Sequence, residues 1–372
     1  MSAPIAKSDV LIVGAGIVGL AHASAALARG LSVTIIDRDD RAIGASVRNF
    51  GHCCVTAQSG ELLDLALVAR EKWIAHSAAA GFFSVASGAL AIARSAAELA
   101  VLTELAESRE PGQVELLTAA DASDRVRSGA DTSIVGGALL RDDLRVDPRE
   151  AVSALADWLS AQQDVTMLWR TSFFGASDGI AATSRGEIRA DRTIVCVGHD
   201  LDYLYPDCAA RHEVERCALQ MMRVEAPSNL VLRPAVLTGT SMLRYPAFAE
   251  TQAAIALRDE LESSRPDLLK IGANVMFTQR PGGTLIIGDS HRYGATMSPF
   301  QAEKTSRTLL GEVEKILGVQ SLVVKERWQG VYASSPKQPF LIEEVAPGVT
   351  VAIVTSGVGM TISFGLAERT FS

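Results

Sequence analysis

The chain has 372 residues, of which 48% are hydrophobic and 21% charged, and its net charge is −8. This is long enough for two cores and ordinary for a globular enzyme, while the acidity argues against nucleic acid or an anionic membrane surface as a partner. No apolar run reaches the ~20 residues of a membrane span and the first nine residues carry no secretory signal, so a cytoplasmic protein is expected.

The first strong signal is at the start. Val10 to Val13 is a short apolar run, as in a strand buried on both faces. Gly14, Gly16 and Gly19 follow with the spacing G-x-G-x-x-G. Such glycines allow a tight turn, close approach of a pyrophosphate and close packing of a helix on a strand. Leu20 to Arg29 is an alanine-rich helix ended by Gly30, and Leu31 to Ile36 is a second strand. Asp37, 18 residues after Gly19, is placed to bond a ribose hydroxyl. An ADP-containing dinucleotide follows, and the acid favours FAD or NAD over NADP.

The segment Gly44 to His52 breaks all periodicity and is rich in hydrogen-bonding groups. A loop leaving the second strand of such a fold can run under the cofactor, where Arg48 and His52 would meet flavin or substrate. A helix is expected from about Leu62 to Ala80, strands within Gly81–Ala93, a helix over Ser95–Arg109, and strands at Val114–Leu117 and Gly136–Leu140. Asp147-Pro148-Arg149-Glu150 starts a helix, with Asp147 as cap and Pro148 at the first position. Val165–Leu168 and Thr193–Val197 are strands, with a hairpin turn at Ser177-Asp178-Gly179. The latter strand runs into Cys196-Val197-Gly198-His199, where a backbone can approach a cofactor.

Further on, Arg216–Glu225 is strand-like, and Leu257–Leu269 is helical with a restart at Pro266. Asn274–Arg280 and Thr284–Gly288 form a hairpin, and Ala302–Leu317 is an amphipathic helix. Lys325–Tyr332, Phe340–Glu343 and Gly348–Val354 are strands. The last enters Ser356-Gly357-Val358-Gly359-Met360-Thr361, a second Gly-rich helix start whose free N–H groups suit an anionic or carbonyl-bearing ring. The five cysteines, Cys53, Cys54, Cys196, Cys208 and Cys217, lack metal or disulfide spacing; buried free thiols are expected and no metal site.

The Gly14–Gly19 fingerprint with Asp37, Gly44-Ala45-Ser46, Cys196-Val197-Gly198-His199 and Ser356 to Met360 occur in an order that resembles the D-amino-acid oxidase, glycine oxidase and sarcosine oxidase superfamily. Arg48-Asn49-Phe50-Gly51-His52 is similar to a narrower bacterial branch associated with phosphonate breakdown. The resemblance implies an α/β (α+β overall) fold. A Rossmann-like FAD domain would come from residues 1–80, 145–212 and 325–372. A substrate domain with a mixed, largely antiparallel sheet and flanking helices would come from 81–144 and 213–324. It implies FAD contacts at Gly14, Ala15, Gly16, Ile17, Val18, Gly19, Asp37, Arg38, Ala45, Ser46, Asn49, Phe50, Gly51, Phe173, Cys196, Val197, Gly198, Gly357, Val358, Gly359, Met360 and Thr361.

It also implies oxidation of a C–N bond: hydride passes to flavin N5, the imine hydrolyses to a carbonyl compound and a smaller amine, and O2 reoxidises the flavin to give hydrogen peroxide. Sarcosine oxidases attach flavin through a cysteine two residues before a tyrosine. Tyr332 matches the tyrosine and Gly330 stands at the cysteine position, so non-covalent FAD is expected. The arginine with which glycine oxidases hold a carboxylate falls at or near Tyr332. An acid group would then be held by Arg48, Lys337, His291 or Arg292, with Tyr245 as a further contact and His52 and Tyr332 as catalytic candidates. The resulting expectation is an oxidase of a small acidic amine, such as N-methyl-2-aminoethylphosphonate. Alternatives are a glycine or sarcosine-type oxidase, a 2-hydroxy-acid dehydrogenase, a flavin monooxygenase, or an FAD-binding redox sensor. Oligomeric state is left open.

Overall fold

The computed structural model describes residues 3–372, which form two large sheets and a small one. In the first sheet five strands run parallel, in the order Val165–Leu168, Val33–Ile36, Ala6–Val13, Gly186–Val195 and Val349–Val354. Val10 faces Val33 on one side and Arg192 on the other. The hairpin Phe173–Ser177/Ile180–Thr183 and the strand Phe340–Ala346 extend it antiparallel. At the hairpin tip Asp178 (φ 51°) and Gly179 (φ 72°) both adopt the left-handed conformation that tight two-residue hairpins need.

The helix Ile17–Leu27 is buried on nearly every side, and its alanines let it lie between this sheet and the helices Pro148–Ser160 and Gly359–Thr370. Trp73, fully buried, meets Phe82 and Phe364 edge-on. Its Nε1 donates to the carbonyl of Met360 at 2.7 Å. One side chain thus ties the core to the second Gly-rich helix start; its truncation to alanine costs about 3–5 kcal/mol by lost burial and cavity formation.

The second sheet has nine strands and is antiparallel apart from Ala235–Leu237, which runs parallel to Ala89–Ala93. Its long member, Glu215–Val224, pairs with Leu285–Gly288 and Arg292–Gly294 along one edge and with Val324–Ser334 along the other. The strand over Lys325–Tyr332, expected in the cofactor domain, therefore belongs to the second sheet. The open edge of Glu215–Val224 supplies the hydrogen bonds that its own pattern could not reveal. The third cofactor-side segment starts instead at Phe340. His52–Cys53, Leu144–Val146 and Ser84–Val85 form the small sheet at the junction.

Asp147 caps the helix Pro148–Ser160 as expected, accepting from the Arg149 N–H at 3.1 Å. Its other oxygen takes Arg280 at 2.8 Å, which binds the cap to a hairpin of the second sheet. The helix Ala119–Val126 was not anticipated; Thr118 caps it through the Asp121 N–H. Among the described residues no helix is long and apolar enough to cross a membrane.

Candidate active site

The two large sheets meet over one elongated cavity of about 430 Å³. One end is built by the first strand–turn–helix. Gly14 has φ +104°, and a Cβ there would stand 2.6 Å from the carbonyl oxygen of Cys196. A Cβ on Gly19 would overlap the carbonyl oxygen of Gly14, so the helix can sit this close to the strand only without one. Asp37 closes the second strand. Its Oδ2 accepts from Ala15 N–H at 2.8 Å and its Oδ1 from Asp39 N–H at 2.9 Å. Burial raises its pKa, and these two bonds oppose the shift. Each oxygen keeps a second lone pair for a further donor.

The loop after the second strand folds back on this turn. Ser46 Oγ accepts from the Ile17 N–H at 2.9 Å, in space that Gly16 leaves free. Asn49 bonds within its own loop, donating to the carbonyls of Ala45 and Ser46 and accepting from Gly51 N–H. Arg38 crosses to Asp200 at 2.7 Å. Gly14, Gly16, Ile17, Val18, Asp37, Arg38, Ala45, Ser46, Asn49, Phe50, Phe173, Cys196, Val197, Gly198 and the run Gly357 to Thr361 all line the cavity.

Ala15, Gly19 and Gly51 do not line it, contrary to expectation. Ala15 is fully buried and acts through its N–H on Asp37. Gly19 packs against the strand. Gly51 lies against the Val146 carbonyl, where a Cβ would collide.

In the middle of the cavity wall stands His52. Its Nε2 is 2.7 Å from Asp143 Oδ2, and Asp143 Oδ1 accepts from Thr56 N–H at 2.7 Å. Both side chains are buried, and His52 Nδ1 has no partner among the described residues. Cys54 lies near enough to complete a ligand-like trio, but both Asp143 oxygens are engaged and burial pushes the thiol pKa well above 9, with Asp143 adding to it. The trio reads as hydrogen-bonded support. All five cysteines are free and buried.

The far end is built by the second sheet. Cys217 faces Tyr332 on one neighbouring strand and Tyr293 on the other, so the three side chains share one face. Arg244, in the turn before the helix Pro246–Ala249, reaches both phenols: its guanidinium donates to Tyr332 Oη at 2.6 Å and to Tyr293 Oη at 3.2 Å. Burial, opposed by Arg244, holds the Tyr332 phenol well above 10. Tyr332 also lies on the Gly357 backbone, where a Cβ would come within 2.9 Å of its ring.

Asp289, Asn274 and His291 complete this end. Burial pushes the Asp289 carboxyl up to about 7 against the pull of Arg244. His291 Nδ1 bonds the Gly272 carbonyl at 2.9 Å, and burial, then Arg244, holds the ring neutral. Tyr245 lines the cavity with its hydroxyl on Met276 Sδ at 3.3 Å.

Of the four cation candidates the structure brings Arg48 and His291 to the cavity. Arg48 donates to the Gln329 carbonyl at 3.2 Å. Arg292 and Lys337 are corrections. Arg292 is exposed, on the strand face opposite Tyr293, and does not line the cavity. Lys337 is exposed and held by the Arg211 carbonyl and Glu213. Arg244, Asn274 and Asp289 escaped the sequence reading as site residues. The signals available were the Arg-Tyr-Pro turn before a helix and the polar run Asp289 to Arg292 after an apolar strand.

Two Gly-rich helix starts facing one cavity, with an acid at the end of the second strand, define a dinucleotide-dependent oxidoreductase. A sequence-family description, FAD dependent oxidoreductase (DAO), matches residues 9–371, and the chain belongs to that family. A search of curated proteins finds no match. Among solved structures, L-proline dehydrogenase from P. horikoshii is similar with a TM-score of 0.80 at 18% identity, over 99% of this chain and 93% of that one. Glycine oxidase from Geobacillus kaustophilus gives 0.77 at 20%, over 97% and 93%. L-alpha-glycerophosphate oxidase from Mycoplasma pneumoniae, with FAD bound, gives 0.76 at 16%, over 99% and 94%. The likeness is one of fold.

The cavity residues fit FAD. The missing Cβ atoms at Gly14 and Gly16 open the first helix start, and Val358 begins the last helix with no side-chain cap. Gly330 on the wall offers no sulfur, and the two thiols that line the cavity, Cys54 and Cys196, are kept protonated by burial.

Proposed function

We propose that the protein oxidises the C–N bond of a small amine that also carries an acid group, with an N-alkyl aminophosphonate such as N-methyl-2-aminoethylphosphonate as substrate and O2 as electron acceptor. The observation that carries this reading is Arg244, half-buried at the end of the cavity and fixed between two phenols. A guanidinium beside the Tyr332 hydroxyl suits an anion with several oxygens, since charge-assisted bonds are strong and Arg binds such groups through paired N–H donors. A phosphonate offers such donors three oxygens, a carboxylate two.

FAD, when bound, supplies the two-electron acceptor. Its dinucleotide part would lie along Gly14 to Gly19, Asp37 and Ser46, and its ring toward Gly357 to Thr361. Arg244 anchors the acid and so orients the rest of the substrate along the cavity. Tyr332 acts as an orienting wall, pressed on the Gly357 turn and kept as a neutral phenol by burial. His52, fixed by Asp143, stands in the wall of the same cavity, with Nδ1 unpaired among the described residues.

Anaerobic titration of the purified flavoprotein with an amine panel tests the reading. Loss of the visible flavin band with N-methyl-2-aminoethylphosphonate, and a weaker or absent response to sarcosine, glycine and 2-hydroxyglutarate, is the expected result. Bleaching by sarcosine or glycine in preference to the phosphonate would replace the phosphonate by a carboxylate substrate. A band that no amine bleaches overturns the proposal.

A further inference from the structure

Amine oxidation needs the nitrogen lone pair, yet a small alkylamine near neutral pH is an ammonium ion, with a pKa of about 10 like that of lysine. Something at the site must take a proton. We propose that Asp289 does so: its carboxylate receives the proton of the bound substrate ammonium and leaves a neutral amine. The N–H bond breaks, an O–H bond forms on the carboxylate, and the electron pair stays on nitrogen. The inference rests on the amine reading above and assigns the second half of substrate recognition, with the acid on Arg244 and the amine on Asp289.

The placement of Asp289 carries the argument. It lines the cavity yet is only 4% exposed, and Oδ1 has no partner among the described residues. A buried carboxylate oxygen without a donor is costly, and a substrate N–H would supply one; the Asn274 side chain beside the carboxyl lowers its pKa but does not cancel the effect of burial. The groups that face it leave this role to Asp289. His291 Nε2 is 3.9 Å from Oδ2, but burial and then Arg244 hold the ring's pKa well below 6.5, which makes it the weaker base. Arg244 is a cation and cannot accept. Tyr245 and Cys217, the other titratable groups near it, have pKa values raised by burial, well above 10 for the phenol and to about 11 for the thiol. Asn274 is neutral.

Burial that pushes the Asp289 carboxyl up to about 7 also pushes an enclosed ammonium down, so the two affinities for the proton approach each other. A carboxylate with an ordinary pKa would be too weak a base for the transfer.

The test is the pH dependence of the anaerobic flavin reduction rate, measured for wild type, Asp289→Asn and Asp289→Glu at equal FAD content. Ionisation of the substrate is common to all three proteins, so differences belong to residue 289. Wild type should lose rate as pH falls through about 7. Asp289→Asn should depend on free amine already present in solution. Its rate should fall about 100-fold below wild type at pH 8 and recover tenfold per pH unit toward pH 10, while Asp289→Glu keeps the neutral-pH limb. An infrared carboxyl band that titrates near pH 7 in the resting wild type and is missing in Asp289→Asn is the readout independent of turnover.

Retention of the wild-type profile by Asp289→Asn, or absence of a titrating carboxyl from the resting wild type, overturns the proposal. Wild-type flavin that no amine reduces would instead overturn the amine reading itself.

Discussion

Replacement of Arg244 by methionine tests the substrate end of the site. Methionine fills similar volume without charge, so the two tyrosines keep their packing while the acid group of a bound substrate loses its cation. Arg244 lines the cavity beside the Tyr332 phenol, which burial keeps neutral, and among the described residues no other cation hydrogen-bonds Tyr332 or Tyr293. Removing one partner from a desolvated ion pair costs about 3–5 kcal/mol. At about 1.36 kcal/mol per decade, kcat/KM for an acid-bearing amine should fall about 160- to 4,700-fold. An acid-free amine such as N-methylethylamine, a poor substrate in both proteins, should change by less than about 3-fold, since it has nothing to place on Arg244. The assay is peroxide formation at matched FAD content, with both substrates on both proteins. Equal losses for the two amines would refute the reasoning, because Arg244 would then act on the cofactor or the fold and not on the acid.

Three other outcomes follow. Gly19→Ala places a Cβ on the Gly14 carbonyl; overpacking of about 1–3 kcal/mol should lower the melting temperature and release FAD, read as the flavin-to-protein absorbance ratio. With Gly330 in place of a thiol and with Cys54 and Cys196 held protonated by burial, acid precipitation should leave all flavin in the supernatant, and five thiols should react with a thiol reagent only after unfolding. Burial lowers His22 from 6.5 to about 4 in the fold, so the unfolded chain binds more protons between those values. The stabilisation is complete above pH 6.5 and is lost as pH falls toward 4. His22→Gln should flatten the fall in denaturant stability over this window by up to about 3 kcal/mol.

The cofactor end was legible in the sequence because it is local. Gly14, Gly16, Gly19 and Asp37 lie within one strand–turn–helix–strand unit, and each has a steric or hydrogen-bonding duty that fixes residue type and spacing together. The Gly357–Thr361 helix start could be read for the same reason: a glycine-rich turn after an apolar strand has few other uses. The strand Val324–Ser334 was seen but assigned to the wrong sheet, since its alternation is satisfied by any edge and only the free edge of Glu215–Val224 decides which.

The substrate end is a product of long-range pairing. Tyr293 and Tyr332 become neighbours through Cys217, and Arg244 joins them from a turn with no periodicity to betray it. From the sequence alone Arg48, Arg292, Lys337 and Arg244 are equivalent cations. Burial and strand facing separate them, leaving Lys337 and Arg292 in solvent and Arg244 beside the Asp289 carboxyl. Dinucleotide binding can therefore be read from one stretch of chain, because that demand is met by backbone geometry over some thirty contiguous residues. Which charges line the cavity depends on pairing across the chain, because side-chain direction and desolvation are set by partners as distant as the 281 positions between Arg48 and Gln329.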